Sequence, residues 1–284
     1  MFKRNLEQPI IDKLQDEDLW KLLKVDCRNQ EIFFAIRDNN IGFYHKGGRL
    51  FEFSKNGFKT HFKYASVIGK KAVKSDYLTA NELGKCELIK DFSENYGRIK
   101  ENCKLYSGVE ADGVSEIYHN HSYFSKENIV VLDIEVSFET MNKTYGQTQD
   151  RIDILLLDKK TKTLKFVEAK HYGNSCIRSK TTPKVIEQIE RYEEQIRDKE
   201  KVIIAAYQEY VKKIKEIFTN VSLPEPKNID YKVALLIFGY NKDQEKGELK
   251  LIKEEIETNG CSVYSIGKTN SITDNTLANI CKTQ

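Results

Sequence analysis

The sequence predicts an α/β protein in which a small antiparallel β-meander precedes a larger α/β region. Three observations lead to this fold class. Residues 152–157 and 164–170 are two strongly apolar runs of strand length. Residues 183–198 and 200–218 carry apolar side chains at helical spacing, which predicts helices. Residues 231–239 form another apolar run, which is typical of a buried strand.

The meander is predicted over residues 31–64, where short alternating runs are separated by turn signals. Those signals are Asn39-Asn40, Gly47-Gly48 and Asn56-Gly57. We therefore predict an N-terminal β-rich basic domain at residues 1–75 and a second domain at residues 76–284.

The meander region is both basic and aromatic. Residues 41–74 contain eight Lys or Arg side chains and one acidic side chain, Glu52. The basic side chains could contact phosphates, and the aromatic side chains could stack on bases. Alternatively, the aromatic side chains form the core of a small sheet and the lysines are solvated. Strand alternation favours this second interpretation, because it puts most aromatic side chains on one face.

A helical region is predicted after the meander, from the capping residue Thr79 to about Cys103. Residues 129–138 are a predicted strand, in which Asp133 and Glu135 share one face. The last predicted elements are a helix near residues 243–257 and a strand near residues 261–266.

Ionisable residues interrupt the two apolar runs at 152–157 and 164–170. Asp153 lies in the first run, and Glu168 and Lys170 lie in the second on one strand face. A hairpin between the runs would place Asp153 beside Glu168. A bare carboxylate in a buried strand is costly unless it is paired or bound to a metal. The pattern therefore indicates a divalent-metal site.

This arrangement resembles the PD-(D/E)xK nuclease superfamily over roughly residues 80–240. Asp153, Glu168 and Lys170 match the two acids and the lysine of its motif. No proline precedes Asp153, but that position varies within the superfamily. The resemblance implies a restriction-endonuclease-like αβββαβ core with a mixed central sheet.

The resemblance also implies a role for each motif residue. Asp153 and Glu168 would bind Mg²⁺, for which Mn²⁺ can substitute, together with the backbone carbonyl of Ala169. Lys170 would orient or activate the attacking water. Glu135 could supply a further ligand, with Asp133 or an acid of an upstream helix as the alternatives.

A second element of the resemblance lies in the helix that Pro183 opens. Gln188 and Tyr192 resemble the QxxxY element of the exonuclease-like branch, and their spacing puts them on one helix face. Gln188 could orient Lys170 or a bound water, and Tyr192 could contact the substrate phosphate.

The loop at residues 171–180 is polar and basic. Loops on a rigid scaffold often carry function. We predict that Asn174, Arg178 and Lys180 contact the nucleic-acid backbone. The alternative is an ordinary surface loop.

The composition is that of a soluble protein, with 31% charged residues, 39% hydrophobic residues and a net charge of +3. The sequence contains no run of 18 apolar residues, so no membrane span is predicted. The N-terminus lacks the apolar segment of a signal peptide. The scattered cysteines are predicted to be reduced thiols. A cytoplasmic location is therefore expected.

The expected function is a Mg²⁺-dependent deoxyribonuclease, with DNA favoured over RNA as the substrate. Fusions in the superfamily suggest antiviral defence or mobile-element processing with a partner such as a helicase or a sensor, and a homodimer is a further hypothesis. Two alternatives remain. One is a catalytically silent module that binds nucleic acid or docks an effector. The other is an interaction protein whose charged strand residues form an internal salt bridge.

Overall fold

The computed structural model describes residues 2–138, 151–178 and 183–282. It has the mixed α/β architecture that the sequence predicts. The chain forms two compact units, a smaller unit of Asn5–Ser115 and a larger unit of Met1–Arg4 with Glu116–Gln284. The boundary predicted between residues 75 and 76 lies inside the smaller unit.

The smaller unit begins with two helices that the sequence analysis did not predict. They are α1 (Gln8–Asp16) and α2 (Asp18–Arg28), separated by the extended residue Glu17. Apolar side chains recur in both helices at the spacing of one helix face, and that face is buried. The buried residues are Ile10, Ile11, Leu14, Leu19, Trp20, Leu23 and Cys27.

An antiparallel meander follows these helices. Its strands are β1 (Phe33–Arg37), β2 (Asn40–His45), β3 (Gly48–Ser54) and β4 (Gly57–Lys59), paired in chain order. The predicted meander is therefore confirmed, although β4 ends before residue 64. Phe43, Phe51 and Phe53 are buried, so these side chains form the core of the sheet. Gly47 and Gly57 have positive φ angles of 78° and 89° at two predicted turns, where a Cβ atom would be strained.

A second, smaller sheet is built from short elements. A helical turn, α3 (Phe62–Ala65), leads into β5 (Ser66–Ile68) and β6 (Lys71–Ala72), and β5 also pairs with β7 (Cys86–Leu88). These strands form a three-stranded sheet in the order β6-β5-β7.

The helical region predicted from Thr79 to about Cys103 is divided by a short strand. Thr79 caps a helix through a capping box with Glu82, but this helix, α4 (Ala80–Leu83), is only one turn long. The chain then extends as β7, because Leu88 pairs with Ser66 of β5. The helices that follow are α5 (Tyr96–Leu105) and α6 (Val109–Asn120).

The larger unit is organised around one mixed sheet. Its strands are β8 (Ile129–Val136), β9 (Ile152–Asp158), β10 (Thr163–His171), β11 (Asn228–Phe238) and β12 (Ser262–Ile266). Their order in the sheet is β12-β11-β10-β9-β8. The strands β8, β9 and β10 are antiparallel neighbours, whereas β10, β11 and β12 are parallel.

The helices of the larger unit are α7 (Lys184–Ile217), α8 (Lys242–Lys246), α9 (Glu248–Thr258) and α10 (Asp274–Cys281). The helix α7 is continuous, whereas the sequence predicted two helices. It connects β10 to its parallel neighbour β11, a connection that requires a long crossover. The helix predicted near residues 243–257 is divided into α8 and α9 at Gly247.

The predicted hairpin between β9 and β10 is confirmed, and Asp158 explains why it needs no Asn-Gly turn. Its carboxylate accepts hydrogen bonds from the amides of Lys160 and Thr161 and from the side chain of Asn128. Lys162 then adopts a left-handed φ of 58°. This local network fixes the turn and with it the register of the two strands.

A buried ion pair anchors the first strand of the larger sheet. The Asp133 carboxylate is fully buried and lies 2.9 Å from Arg4 Nε. It also accepts a hydrogen bond from the Tyr207 hydroxyl of α7 at 2.8 Å. Asp133 therefore has a structural role, which disfavours it as the additional metal ligand considered from the sequence.

We expect the Arg4→Met substitution to destabilise the protein, because it leaves the buried Asp133 carboxylate without its arginine. The free energy of unfolding should fall by about 3–5 kcal/mol in urea denaturation. Arg49→Met is a matched control, because Arg49 is exposed and pairs with Glu52. Its effect should stay below about 1 kcal/mol. Equal effects of the two substitutions would contradict the anchoring role of Arg4.

Candidate functional site

The predicted acidic residues meet at one end of the β9–β10 hairpin. Ile154 pairs with Val167, and the same register places Asp153 beside Glu168. The Asp153 carboxylate accepts a hydrogen bond from the Ala169 amide at 2.8 Å. Two carboxylates that lie opposite each other on neighbouring strands repel one another. This arrangement therefore needs compensating charge.

Lys170 supplies part of that compensation. Its Nζ atom lies 2.5 Å from Glu168 Oε1, and Glu168 is only 1% exposed. The two side chains leave the same face of β10, as strand alternation requires. The Gln188 amide of α7 donates a second hydrogen bond to the same oxygen at 3.0 Å. Glu168 is thus held from the sheet and from the helix.

Gln188 and Tyr192 form a chain of hydrogen bonds from α7 to the sheet. The Gln188 side-chain amide lies 2.7 Å from the Tyr192 hydroxyl. That hydroxyl donates to the backbone carbonyl of Arg151, just before β9, at 2.9 Å. Tyr192 is almost completely buried. The predicted pair therefore shares one helix face and connects Glu168 to the start of the strand that carries Asp153.

The surroundings of Asp153 disfavour its charged form. Burial raises the pKa of Asp153 well above its ordinary value, and the neighbouring Glu168 carboxylate raises this pKa further. The Lys170 ammonium and the Ala169 amide oppose the shift without cancelling it. Asp153 therefore holds a proton more readily than a solvated carboxyl does, and a cation could take the place of that proton.

Glu135 lies next to Asp153 on the opposite side from Glu168. The pairs of Ile134 and Val136 with β9 place it there. Its backbone has a left-handed φ of 51°, which is unusual for a residue with a side chain. Its carboxylate is partly exposed and pairs with Arg151 at 3.2 Å. Arg151 is therefore a neighbour of the site to which the sequence analysis gave no role.

The described residues contain no group of three or more acidic, His or Cys side chains arranged to hold a metal ion. Asp153 and Glu168 come together, whereas Glu135 is engaged with Arg151. Ala169 is buried, and its amide donates a hydrogen bond to the Asp153 carboxylate. The metal-binding roles of Glu135 and of the Ala169 carbonyl stay predictions.

The predicted nucleic-acid contacts of the loop have partners within the protein. Asn174 accepts a hydrogen bond from the Cys176 amide. Arg178 pairs with Glu248 of α9 at 2.6 Å and donates to the backbone carbonyl of Tyr172. Lys180 lies outside the described residues. The Arg178–Glu248 pair could not be predicted, because its members are far apart along the chain and lie on different elements.

Comparisons with known proteins do not assign the chain to a family. No protein-family model matches it, and no curated protein and no solved structure matches it. Within the described residues, no helix is both long enough and apolar enough to cross a membrane. The function must therefore be argued from the residues of the site.

We expect the stability effect of Asp153→Asn to depend on pH. The folded-state pKa of Asp153 is raised, so the native protein binds more protons than the unfolded chain. Stability is then lost as the pH rises from about 4, the unfolded pKa, to the folded pKa. The Asp153→Asn variant does not show this loss of stability, because its amide does not titrate. Its unfolding free energy relative to the parent should rise by up to about 1.4 kcal/mol per pH unit in urea titrations with EDTA.

Asp158→Asn is the matched control, with the opposite sign. Burial acts to raise the pKa of Asp158, but hydrogen bonds from Asn128, Thr161 and Lys160 outweigh it and lower the pKa. The carboxylate therefore contributes stability above its unfolded pKa that is lost as the pH falls through its folded pKa. The relative stability of this variant should decrease as the pH rises through that acidic window. A positive slope for both variants would contradict the assignment for Asp153.

Proposed function

We propose that this protein is a metal-dependent nuclease that hydrolyses phosphodiester bonds, most readily those of DNA. The observation that carries the proposal is the cluster of Asp153, Glu168 and Lys170 on two neighbouring strands. A purely structural sheet has no need for a buried carboxylate, Glu168, beside a half-buried one, Asp153, since the pair destabilises it. A site that binds a cation requires them.

The architecture supports the same proposal. The elements α6, β8, β9, β10, α7 and β11 follow one another in the order αβββαβ. The cluster lies on the second and third strands of that series, and the following helix supplies Gln188 and Tyr192. We therefore propose a restriction-endonuclease-like core formed by these elements, in which residues 109–115 of α6 belong to the smaller unit.

The donor set fits Mg²⁺ or Mn²⁺. Both are hard cations that prefer carboxylate oxygens and keep several waters. Asp153 and Glu168 would hold the ion, with Glu135 and the Ala169 carbonyl as further ligands. The raised pKa of Asp153 supports this fit, because the site favours a positive species beside that carboxylate. When bound, the ion would neutralise phosphate charge and acidify a coordinated water.

The protein's own groups orient the reactants. Lys170 directs its ammonium group at Glu168 Oε1, and beside that carboxylate it would orient the attacking water. Gln188 fixes that Glu168 oxygen, and Tyr192 fixes Gln188. Because the Tyr192 hydroxyl is buried and donates to Arg151, its position favours a positioning role over direct contact with phosphate.

The proposed substrate and biological setting follow from the loop residues and from the resemblance to the superfamily. DNA is favoured over RNA, with Asn174, Arg178 and Lys180 as backbone contacts. A cytoplasmic role in antiviral defence or mobile-element processing, with a helicase or sensor partner or as a homodimer, rests on analogy with the superfamily. In this proposal Arg178 must exchange Glu248 for a phosphate, which is a specific requirement of the loop.

A non-catalytic role is the second candidate, and one observation favours it. Lys170 and Glu168 form a close, buried ion pair. Such a pair could serve as an internal salt bridge in an interaction protein, or as the remnant of a site in a silent nucleic-acid-binding module. The two candidates differ in whether Asp153 and Glu168 bind a divalent cation.

We expect cleavage of DNA that requires Mg²⁺ or Mn²⁺ and that depends on the cluster. The purified protein would be incubated with linear, nicked, circular and single-stranded DNA and with RNA, with the metal or with EDTA. Asp153→Ala, Glu168→Ala and Lys170→Met should each lower the rate by roughly 100-fold or more, because each removes a ligand or the group that orients the water.

Lys165→Met is a matched control for Lys170→Met. Lys165 is also a buried lysine of β10, and it pairs with Asp230 at 2.7 Å. Circular dichroism would establish the folded fraction of each variant. The folded Lys165→Met protein should cleave at close to the parent rate. If folded Lys170→Met cleaves as fast as folded Lys165→Met, the proposed site is wrong.

We expect calorimetry to detect Mn²⁺ binding that is lost in Asp153→Asn. Arg151→Gln should strengthen this binding by roughly 5-fold, because an exposed ion pair worth up to about 1 kcal/mol no longer competes for Glu135. The same substitution in a Glu135→Gln background should have no effect. Unchanged affinity in Arg151→Gln would exclude Glu135 as a ligand. No binding to the parent protein would favour the internal salt bridge.

A further inference from the structure

The smaller unit exposes aromatic side chains beside its buried meander. Phe62 of α3 is 71% exposed, and Tyr77 is 89% exposed. They contrast with Phe43, Phe51 and Phe53 of the meander, which are fully buried. Single exposed apolar side chains are common, but two large aromatic ones in a basic segment call for an explanation.

These aromatic side chains lie on neighbouring segments. The His61 ring lies 4.8 Å from the Phe62 ring. The Val73 amide donates to the carbonyl of Ser66, the residue after α3, so the segment that leads to Tyr77 lies beside that helix. We call the side chains of His61, Phe62, Lys63 and Tyr77 the aromatic ledge.

The ledge is flanked by positive charge. Residues 59–75 contain five lysines and no acidic residue. Lys63 lies 4.6 Å from the centre of the Tyr106 ring, whose hydroxyl donates to the Val73 carbonyl next to Lys74. Lys70, Lys71 and Lys74 are exposed, and none of them forms an ion pair with the described residues. Lys70, Lys71 and Lys74 therefore add positive charge to this surface, next to the acidic residue Asp76.

A cavity of about 270 Å³ adjoins the ledge at His61. Its lining residues are Arg49, Glu52, Lys59, Thr60, His61 and Tyr64. Glu52 pairs with Arg49 at 2.8 Å and with Lys59 at 2.6 Å, so one carboxylate faces two cations. The remaining positive charge would suit a phosphate group, because both cations are exposed and keep donors available.

We propose that the aromatic ledge, with its flanking lysines and the adjacent cavity, binds single-stranded nucleic acid. Lysines that follow a phosphate backbone, combined with aromatic faces on which unpaired bases stack, are the features that such binding requires. A duplex keeps its bases stacked inside and leaves none for Phe62 and Tyr77. The site adds substrate capture to the proposed nuclease, and only its link to cleavage rests on that function.

Binding would be measured by fluorescence anisotropy with labelled single-stranded DNA and RNA and with a DNA duplex, using the full chain in EDTA. We expect single strands to bind more tightly than the duplex. The Phe62→Ala/Tyr77→Ala double variant should weaken single-strand binding by about 10- to 100-fold, through lost stacking. Lys70→Glu/Lys71→Glu should weaken it as well and should reduce the dependence of the binding constant on salt.

The control is Val25→Ala/Lys21→Glu, which changes an exposed apolar side chain and an exposed lysine of α2. It should bind like the parent. Absence of binding by the parent would overturn the proposal, as would an effect of the lysine variant with none of the aromatic variant. The latter result would indicate general attraction of polyanions, and polyglutamate would then compete equally well.

The two proposals fail in different ways. Because the binding assay contains EDTA, it does not depend on cleavage. Parent protein that binds single strands through the ledge but cleaves nothing would retain this inference and refute the nuclease. Metal-dependent cleavage by the parent, with ledge variants that bind and cleave as the parent does, would refute this inference and retain the nuclease.

Discussion

The larger unit is governed by the proximity of two carboxylates, Asp153 and Glu168, on neighbouring strands. Lys170, Gln188 and the Ala169 amide each direct a donor at one of them. Even with these contacts the pKa of Asp153 stays raised, first because the carboxyl is buried and second because of the Glu168 carboxylate. A sheet that retains this residual cost is suited to binding a cation, because the cation stabilises what the protein alone leaves unfavourable.

The position of helix α7 depends on a hydrogen bond to one of these two carboxylates, Glu168. Besides its apolar face, it makes polar contacts with the sheet at Glu168 through Gln188 and at Asp133 through Tyr207. The Glu193 carboxylate accepts a hydrogen bond from the Val233 amide of β11. Val233 lies at the point where the pairing of β10 with β11 is irregular. Apolar packing tolerates small rotations of a helix, whereas hydrogen bonds to buried carboxylates do not. The polar contacts therefore fix the rotation of α7 about its axis, which places Gln188 at the site.

The sequence predicted what local patterns encode. Strand alternation gave the faces of Glu168 and Lys170, and the short hairpin brought Asp153 to them, because both relations span few residues. Pairings between residues that are far apart along the chain, such as Arg178 with Glu248, could not be predicted. The backbone of Glu135 was also missed, since nothing in its neighbours predicts a left-handed φ. The helices α1 and α2 do carry helical periodicity and were recoverable from the sequence.

The net charge of +3 conceals two opposite local requirements. A cation site needs a surplus of carboxylates, and Asp153 and Glu168 share one buried lysine. A surface for a polyanion needs a surplus of cations, and the lysines between residues 59 and 75 face no acid within that segment. Each surplus is unfavourable in the isolated protein. Under the proposed function, a divalent cation would offset the carboxylates and a phosphate backbone would offset the lysines.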